Sequence, residues 1–389
     1  MAVMSGFPPE EVDQATLANW RTSPYNAWAF HHVREIVPSA DIPNAPDDVW
    51  AIPKAEPRLP LARLAKAIAA SPADAVVVFH DGELIFEDYR NGMNASSPHI
   101  LMSVSKSMLG LLGGALVGSG ELDVDALVTD YVPEVAPTIY QGATVRNLLD
   151  MRVSSAFDED YTATSGAIID YRYAANWNPV PEGVEPGDLR SFMQKMTERD
   201  AGGHGEAFHY VSPNTDLLVW VYERASGMRY ADLFSERLWK PMGAESSAYV
   251  TVDRIGGARG AGGVNMTARD LARVGQLMIQ GGARDGRQVI PESWIRDIEE
   301  NGDKSAWEAG NFAEKFGALD MHYRSKWYVH RGDKPLVHGL GIHGQYLFVD
   351  RARNLSVAWF SSGAEPLSDT YTPAVLAEIN ALREAIDAL

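Results

Sequence analysis

The sequence contains no cysteine. Without thiols, the chain can form no disulfide bond, hold no metal through cysteine and use no thiol nucleophile. A cysteine-free chain suits a reducing compartment. The first thirty residues do not combine a basic segment with an apolar core, as a secretory leader would. A cytoplasmic location is therefore expected.

Long apolar runs and positive charge are also scarce. No uninterrupted apolar stretch approaches the roughly 18 residues that a membrane-spanning helix needs. The chain carries 34 basic and 52 acidic residues, for a net charge of −18. Nucleic acids and anionic membranes attract clustered positive charge. The composition therefore predicts neither a nucleic-acid partner nor a membrane partner.

Patterns typical of metal sites and of triad hydrolases are missing as well. The histidines form no His-x-x-x-His pair, so no metal and no cofactor is expected. The acidic triplet Asp158-Glu159-Asp160 lacks the surrounding pattern of an EF-hand, and a solvated loop is the prediction there. No Gly-x-Ser-x-Gly segment is present, which argues against an α/β-hydrolase with a Ser-His-Asp triad.

Strand patterns lie near both ends of the chain, and helical patterns lie in the middle. Residues 75–90 contain two β-rich runs around an Asp-Gly pair, which predicts a β-hairpin. Two more strand patterns occupy residues 344–362. The sequence therefore predicts an α/β domain made of residues 1–117 and 251–389, a helical domain made of residues 118–250, and an active site between them.

Ser103 and Lys106 lie three residues apart at the start of an apolar, glycine-containing helical stretch. Residues three apart share one face of a helix, so the two side chains can touch. The positive end of the helix dipole favours a serine alkoxide, and apolar burial lowers the pKa of a lysine. Of the nine lysines, only Lys106 has a serine three residues before it. From these residues alone, a buried lysine paired with a carboxylate explains the pattern as well as catalysis does.

Two further segments carry groups that such a nucleophile requires. Residues 208–216 contain Tyr210, whose phenol can relay a proton, and Ser212, whose hydroxyl can bond Lys106 or substrate. Residues 337–345 are rich in glycine, which lets a substrate approach the backbone and offers an N–H to an oxyanion. Taken alone, the first segment is compatible with a core tyrosine, and the second with a turn before a strand.

In this order, the three segments resemble the serine β-lactamase and penicillin-binding superfamily, in its class C-like branch. Within that branch the chain is similar to the 6-aminohexanoate-dimer (nylon-oligomer) hydrolases nearly end to end. The matching stretches are NAWAFHHVREIVPSA, HILMSVSKS, LVTDYVPE, FHYVSPNTD, TARDLARVG and GIHGQ. The resemblance implies an α+β penicillin-recognising fold, in which helices flank an antiparallel sheet and an all-helical domain is inserted.

The resemblance also implies a role for individual residues. Ser103 would be the nucleophile, Lys106 its base and Tyr210 the proton donor to the leaving group. The backbone N–H groups of Ser103 and Ile342 would form the oxyanion hole, with His343-Gly344 as the rival framing. The substrate would be bound by Tyr161, Arg172, Trp177, Ser212, Ala261, Gly341, His343 and Trp327 or Tyr328.

Two departures from the pattern bear on specificity. Penicillin-binding enzymes have Lys-Thr-Gly on the strand beside the site, whereas Gly339-Leu340-Gly341 offers no cation to a β-lactam carboxylate. β-Lactamase activity is therefore not expected. By ungapped counting from Tyr161 to Trp177, Arg172 takes the place of an aspartate that faces the substrate's ammonium group in efficient nylon-oligomer hydrolases. Ala261 takes the place of the partner asparagine, so weak or no dimer hydrolysis is expected.

The leading hypothesis is a serine hydrolase that cleaves carboxylic esters, and also linear amides, through an acyl-enzyme. Its partner would be a small-molecule ester or amide, and a homodimer is left open. The alternative is a non-catalytic or weakly catalytic member of the same fold that binds an acyl or peptide ligand.

Overall fold

The strands of the protein form a larger sheet, a small sheet and one short hairpin. The computed structural model describes residues 3–200, 202–317 and 319–389. The strands within these ranges are β1 (Ser39–Ile42), β2 (Ala73–His80), β3 (Glu83–Tyr89), β4 (His99–Ile100), β5 (Ala248–Thr251), β6 (Val264–Met266), β7 (Ala283–Arg284), β8 (Arg287–Gln288), β9 (Met321–Arg324), β10 (Trp327–His330), β11 (Leu336–Gly341), β12 (Gln345–Asp350) and β13 (Leu355–Ser361).

Helices fill most of the chain between β4 and β5 and also cover both faces of the larger sheet. They are α1 (Asn26–Ala29), α2 (Ala62–Ala69), α3 (Val104–Gly118), α4 (Val128–Tyr131), α5 (Val145–Leu149), α6 (Ala167–Ala174), α7 (Leu189–Met193), α8 (Ser212–Ser226), α9 (Tyr230–Phe234), α10 (Lys240–Met242), α11 (Ala268–Ile279), α12 (Glu292–Glu300), α13 (Lys304–Glu308), α14 (Ala313–Phe316) and α15 (Tyr371–Asp387). Short 3₁₀ turns lie at Glu11–Asp13, Val33–Glu35, Pro133–Val135 and Arg351–Arg353, and a π-helical turn lies at Ser235–Trp239.

The larger sheet joins the two ends of the chain. Its strand order is β3-β2-β13-β12-β11-β10-β9, and every neighbouring pair is antiparallel. Strand β2, from the N-terminal part, pairs with β13, from the C-terminal part, with Val78 opposite Val357. The predicted hairpin is confirmed, and its turn residues Asp81 and Gly82 have φ of 51° and 80°. The predicted α+β fold, with an antiparallel sheet flanked by helices, is confirmed.

Both faces of this sheet are buried, because successive residues of a strand point to opposite faces. Val77 and Phe79 of β2 pack into the core that contains α3 and α11. Val76 and Val78 pack into a second core under α2 and α15. This two-sided burial explains why β2 is a continuous apolar run rather than an alternating one.

Helix α3 lies unusually close to its neighbours, as its glycines predict. A Cβ atom on Gly110 would lie 2.0 Å from the carbonyl oxygen of Ser325, and one on Gly113 would lie 2.1 Å from the Tyr222 hydroxyl. Neither distance leaves room for a methyl group. The glycines therefore allow α3 to pack between the larger sheet, through the β9–β10 turn, and α8.

Helices α4 to α10 separate the two halves of the sheet along the chain. Among the described residues, the stretch from 101 to 247 contains no strand. The domain boundaries at residues 117 and 251 remain our proposal for how the chain divides. No helix in the described ranges is both long enough and apolar enough to cross a lipid bilayer.

Candidate active site

The small sheet has the strand order β1-β5-β6-β4, and the chain runs from its strand β4 to Ser103 at the start of α3. Strand β4 pairs with β6, and the Leu101 N–H extends this contact by donating to the Val264 carbonyl at 2.9 Å. Met102 then turns the chain with a φ of 45°, a left-handed conformation that costs a non-glycine residue about 1 kcal/mol. Ser103 directly precedes the first residue of α3, and its side chain makes no capping hydrogen bond to the helix. Its hydroxyl is therefore free to face the cleft at the positive end of the helix dipole.

Lys106 points its amine at the Ser103 hydroxyl. The Lys106 Nζ atom lies 2.8 Å from Ser103 Oγ and 2.7 Å from the Ala261 carbonyl oxygen, to which it donates. The side chain is 1% exposed, and burial lowers the pKa of Lys106 to about 8. No salt bridge joins this amine to a carboxylate anywhere in the described ranges. The buried lysine is therefore not neutralised by an acid partner, which leaves its lone pair available to the serine.

A buried carboxylate fixes the carbonyl that holds the lysine. Asp216 accepts a hydrogen bond from the Ala261 N–H at 2.9 Å, and also from the Tyr171 hydroxyl and the Arg259 guanidinium. Asp216 is fully buried, and the Arg259 ion pair supplies its counter-charge. Because Asp216 lies four residues after Ser212 on α8, the two side chains share the face of that helix that is turned to the site. Asp216 thus positions Lys106 through Ala261.

Tyr210 lies two residues before the start of α8 and completes the group. The Lys106 Nζ atom lies 4.8 Å from the centre of its ring. Phe312 stacks on the Tyr210 ring, with ring centroids 4.8 Å apart. Burial raises the pKa of Tyr210 far above neutrality, so the phenol carries its proton at ordinary pH. The structure thus places the Tyr210 ring beside the hydrogen-bonded pair of Ser103 and Lys106.

Two backbone N–H groups lie where the end of β11 approaches the start of α3. A Cβ atom on Gly341 would lie 3.0 Å from the Ser103 nitrogen and 2.7 Å from the Leu101 carbonyl oxygen. Only a glycine lets the end of β11 come this close to the start of α3. Ile342 follows directly, and within the described part of the chain neither the Ser103 N–H nor the Ile342 N–H has a hydrogen-bond partner. Two free donors at this point are what an oxyanion requires.

His343 provides a poorer frame for the oxyanion hole. Its N–H donates to the Pro366 carbonyl at 2.8 Å, and its ring Nδ1 lies 2.8 Å from the Gly363 carbonyl oxygen. Because the His343 N–H is already engaged, the geometry favours Ile342 as the second donor. The His343 side chain instead contributes to the wall of an outer cavity next to Ile342.

The space in front of Ser103 is narrow. It has a volume of about 30 Å³, and it adjoins an outer cavity of about 230 Å³. A substrate that reaches Ser103 must therefore extend into the outer cavity. The predicted substrate-binding residues that line the inner space are Tyr161, Arg172, Trp177, Ser212 and Ala261, together with Ile342.

Two predicted wall residues lie elsewhere. Trp327 is fully buried in the main core, and Tyr328 packs behind Tyr210 in an aromatic cluster with Phe208 and Trp307. Neither is among the residues that line the inner or the outer cavity. Strand β10 turns both side chains into packed layers, so we assign them to packing rather than to substrate contact.

The acidic triplet at 158–160 is not simply a solvated loop, and that prediction is wrong for Glu159. Its carboxylate accepts hydrogen bonds from the Ser212 N–H and hydroxyl at the start of α8 and from the Tyr161 hydroxyl at 2.9 Å. Ser212 therefore bonds Glu159 rather than Lys106. Glu159 also lines the inner cavity. Across the described residues, no group of three or more histidine and carboxylate side chains is placed to hold a metal.

The pH profile of the enzyme is expected to follow Lys106. Only the neutral amine can take the serine proton, and the pKa of Lys106 is about 8. We therefore expect kcat/KM for a neutral ester to rise about tenfold per pH unit below this value and to level off above it. Initial rates between pH 6 and 9.5, corrected for spontaneous hydrolysis, measure this. A profile that is flat across this range would contradict the assignment of Lys106 as the base.

The chain is similar to known hydrolases over most of its length. The family model described as Beta-lactamase matches residues 61–381. A 6-aminohexanoate-dimer hydrolase from Paenarthrobacter ureafaciens is 35% identical over 365 residues, which cover 92% of this chain and 91% of that protein.

Solved structures agree with the family match. A structure from Bacillus anthracis, assigned to the same kind of dimer hydrolase, has a TM-score of 0.85 and 26% identity, and covers 97% of this chain and 98% of that one. A family VIII carboxylesterase has a TM-score of 0.62 and 16% identity, and covers 86% of this chain and 99% of that one. The second likeness concerns the fold alone.

Proposed function

The chain belongs to the beta-lactamase family of serine hydrolases, and from this premise we propose that it cleaves carboxylic esters and linear amides through an acyl-enzyme at Ser103. The observation that carries the proposal is the 2.8 Å contact between Ser103 Oγ and the buried amine of Lys106, which forms no salt bridge within the described residues. The protonated Tyr210, whose ring centre lies 4.8 Å from the same amine, supports it.

In the first half-reaction, the neutral Lys106 amine takes the Ser103 proton while Oγ bonds to the substrate carbonyl carbon. The N–H groups of Ser103 and Ile342 hold the oxygen that becomes negative. The carbonyl re-forms, the bond to the leaving group breaks, and Tyr210 gives its proton to the departing oxygen or nitrogen. The proton held by Lys106 then passes to Tyr210, which returns both groups to their starting forms. Water attacks the acyl-enzyme carbonyl and gives a proton to Lys106, and the Ser103 oxygen departs with a proton from Tyr210. The acid is released, Ser103 is restored, and the same transfer from Lys106 restores Tyr210.

A burst of product tests this two-step scheme. When the enzyme is mixed with excess 4-nitrophenyl butanoate, we expect one equivalent of nitrophenolate to appear rapidly before the slower steady state. The burst amplitude should rise in proportion to the enzyme concentration. Stopped-flow absorbance measures it, and trapping the acyl-enzyme in acid gives its mass. A linear time course with no acyl-enzyme in the trapped sample would argue for direct attack by water instead.

Tyr210→Phe is expected to separate amide from ester hydrolysis. An amine leaves only when it is protonated, whereas a nitrophenolate leaves without help, so loss of the phenol hydroxyl should cost the amide reaction more. We expect kcat for an anilide to fall about 100-fold or more and kcat for the matched 4-nitrophenyl ester to fall less than about tenfold. Equal losses for the two substrates would show that Tyr210 acts on the nucleophile rather than on the leaving group.

We do not assign to this chain the dimer-cleaving activity after which the relative is named. Arg172 lines the inner cavity, and its positive charge repels a substrate ammonium group. We therefore propose weak or absent hydrolysis of the 6-aminohexanoate dimer and altered substrate recognition. A non-catalytic role is not favoured, because the groups needed for acyl transfer are together. A homodimer and a cytoplasmic location stay predictions.

A further inference from the structure

Resting on the proposed function, we propose that Arg21 and Arg172 form an anion subsite beside Ser103, which selects esters or amides that carry a carboxylate remote from the scissile bond. This subsite names the substrate class. It is built from one arginine near the N-terminus and one on α6.

Both arginines lie on the path that a substrate must follow. The inner cavity contains Ser103, Arg21 and Arg172, and the outer cavity contains the same two arginines. Tyr161 and Ile342 are also shared by the two cavities. A ligand that spans from Ser103 into the outer cavity therefore passes the two guanidinium groups.

Neither guanidinium is neutralised by a carboxylate. Within residues 3–200, 202–317 and 319–389, neither Arg21 nor Arg172 forms a salt bridge, although the third cavity arginine, Arg259, is paired with Asp216. Arg21 donates through Nη2 to the Asn178 side-chain oxygen, and Arg172 donates through Nη2 to the Tyr161 carbonyl at 3.1 Å. Both of these acceptors are neutral, so the two positive charges remain uncompensated by direct contact.

Arg21 also has unused hydrogen-bonding capacity. Its Nε atom is buried and has no partner among the described residues. The centre of its guanidinium lies beside the edge-to-face pair of Trp20 and Trp177, 5.5 Å from the first ring and 5.7 Å from the second. A guanidinium presents its donors in one plane, which suits a planar carboxylate. Arg21 therefore has both the charge and a free donor for an anion.

The electrostatics of the cavity point the same way. Burial, together with the like charges of Arg172 and Arg259, lowers the pKa of Arg21 to about 9. Burial and Arg259 also lower the pKa of Arg172, and the charges of Glu159 and Asp160 offset this only in part. An anion placed between Arg21 and Arg172 would relieve this repulsion. The acid that lines the cavity, Glu159, bonds Ser212 and Tyr161 and forms no salt bridge with either arginine within the described residues. A carboxylate from the substrate can therefore supply the directly bound counter-charge.

Matched acid and methyl-ester substrates test the subsite. One pair carries the remote group on the acyl side: mono-4-nitrophenyl adipate and its methyl ester. The other carries it on the leaving group: 4-(butanoyloxy)benzoate and its methyl ester. A carboxylate bound by guanidinium is expected to raise kcat/KM about 10-fold to 100-fold over the neutral analogue in at least one pair. Either side of the scissile bond would support the inference.

Variants identify the residues responsible. The double substitution Arg21→Gln/Arg172→Gln should bring the acid-to-ester ratio of kcat/KM close to one. Arg172→Gln alone should lower the acid-to-ester ratio in part. Because the Arg172 side chain is only half-buried, this single variant keeps the test possible even if the double variant does not fold. Arg296→Gln is the matched control, because Arg296 is exposed on α12; it makes the same change of charge and should leave the ratio as it is.

The outcomes separate the subsite from the chemistry. If the methyl esters are cleaved as fast as the acids in both pairs, or faster, the subsite is wrong and the esterase proposal stands. If the acids are preferred but the ratio survives the double substitution, other residues bind the anion and the assignment of these two arginines is wrong. If none of the four esters is cleaved, the proposed function fails, and the subsite fails with it.

Discussion

Ser103→Ala is expected to lower kcat/KM for 4-nitrophenyl esters by at least about 10³-fold. Without Oγ, no acyl-enzyme can form, and the remaining oxyanion donors can only assist direct attack by water. The burst of nitrophenolate should disappear together with the steady-state rate. Stability should change little, because Ser103 is only partly buried and its side chain does not cap α3. Steady-state kinetics and thermal unfolding of the purified variant measure both effects.

Ser105→Ala is the matched control for this experiment. Ser105 belongs to the same Ser-Val-Ser-Lys segment, but its buried hydroxyl accepts a hydrogen bond from the Val264 N–H at 3.1 Å and takes no part in the cleft. We expect its kcat/KM to stay within a few-fold of the wild type. If Ser105→Ala lost the activity and Ser103→Ala kept it, the nucleophile would be misassigned.

Lys106→Ala should be nearly as damaging, with a loss of about 10³-fold or more in kcat/KM. The serine would lose the base that lies 2.8 Å from its oxygen. Removal of the amine also leaves the Ala261 carbonyl without its donor, at a cost of about 1–3 kcal/mol of unfolding free energy. The variant should still fold, and its residual rate should no longer change with pH near 8. Activity from pH 6 to 9.5 and urea unfolding measure these effects.

Lys326 offers a control of the same residue type. It is 1% exposed, burial lowers its pKa well below the ordinary value, and its Nζ atom has no hydrogen-bond partner within the described residues. Lys326→Met should therefore leave kcat/KM within several-fold of the wild type. Equal losses from Lys106→Ala and Lys326→Met would mean that burial of an amine, rather than contact with Ser103, matters to the rate.

Local structure could be predicted from the sequence where one short segment contains the residues that determine it. The Asp81-Gly82 turn between two β-rich runs specified a hairpin. The glycines of α3 specified close packing, which the contact of Gly113 with Tyr222 explains. Ser103 and Lys106 meet because they lie three residues apart on one helix. In each case, one short segment contains all the residues that the geometry needs.

The full set of residues that line the cleft could not be predicted from the sequence in this way, because they come from distant segments of the chain. Arg21, Glu159 and Arg259 line the cavity from three separate parts of the chain, and no spacing relates them in the sequence. The placement of Trp327 in the core depends on how strand β10 is turned in the sheet. The position of Asp216 near the site could have been predicted from the sequence, because it lies four residues after Ser212 and therefore on the same helix face.

Labelling with a fluorophosphonate tests the central claim most directly, because this reagent bonds only to an activated nucleophile. After treatment of the wild-type enzyme, peptide mapping by mass spectrometry should show one adduct per chain, located on Ser103, with inhibition proportional to labelling. Lys106→Ala should slow the labelling by the same factor as catalysis. An adduct on another residue, or full inhibition with Ser103 unmodified, would contradict the account.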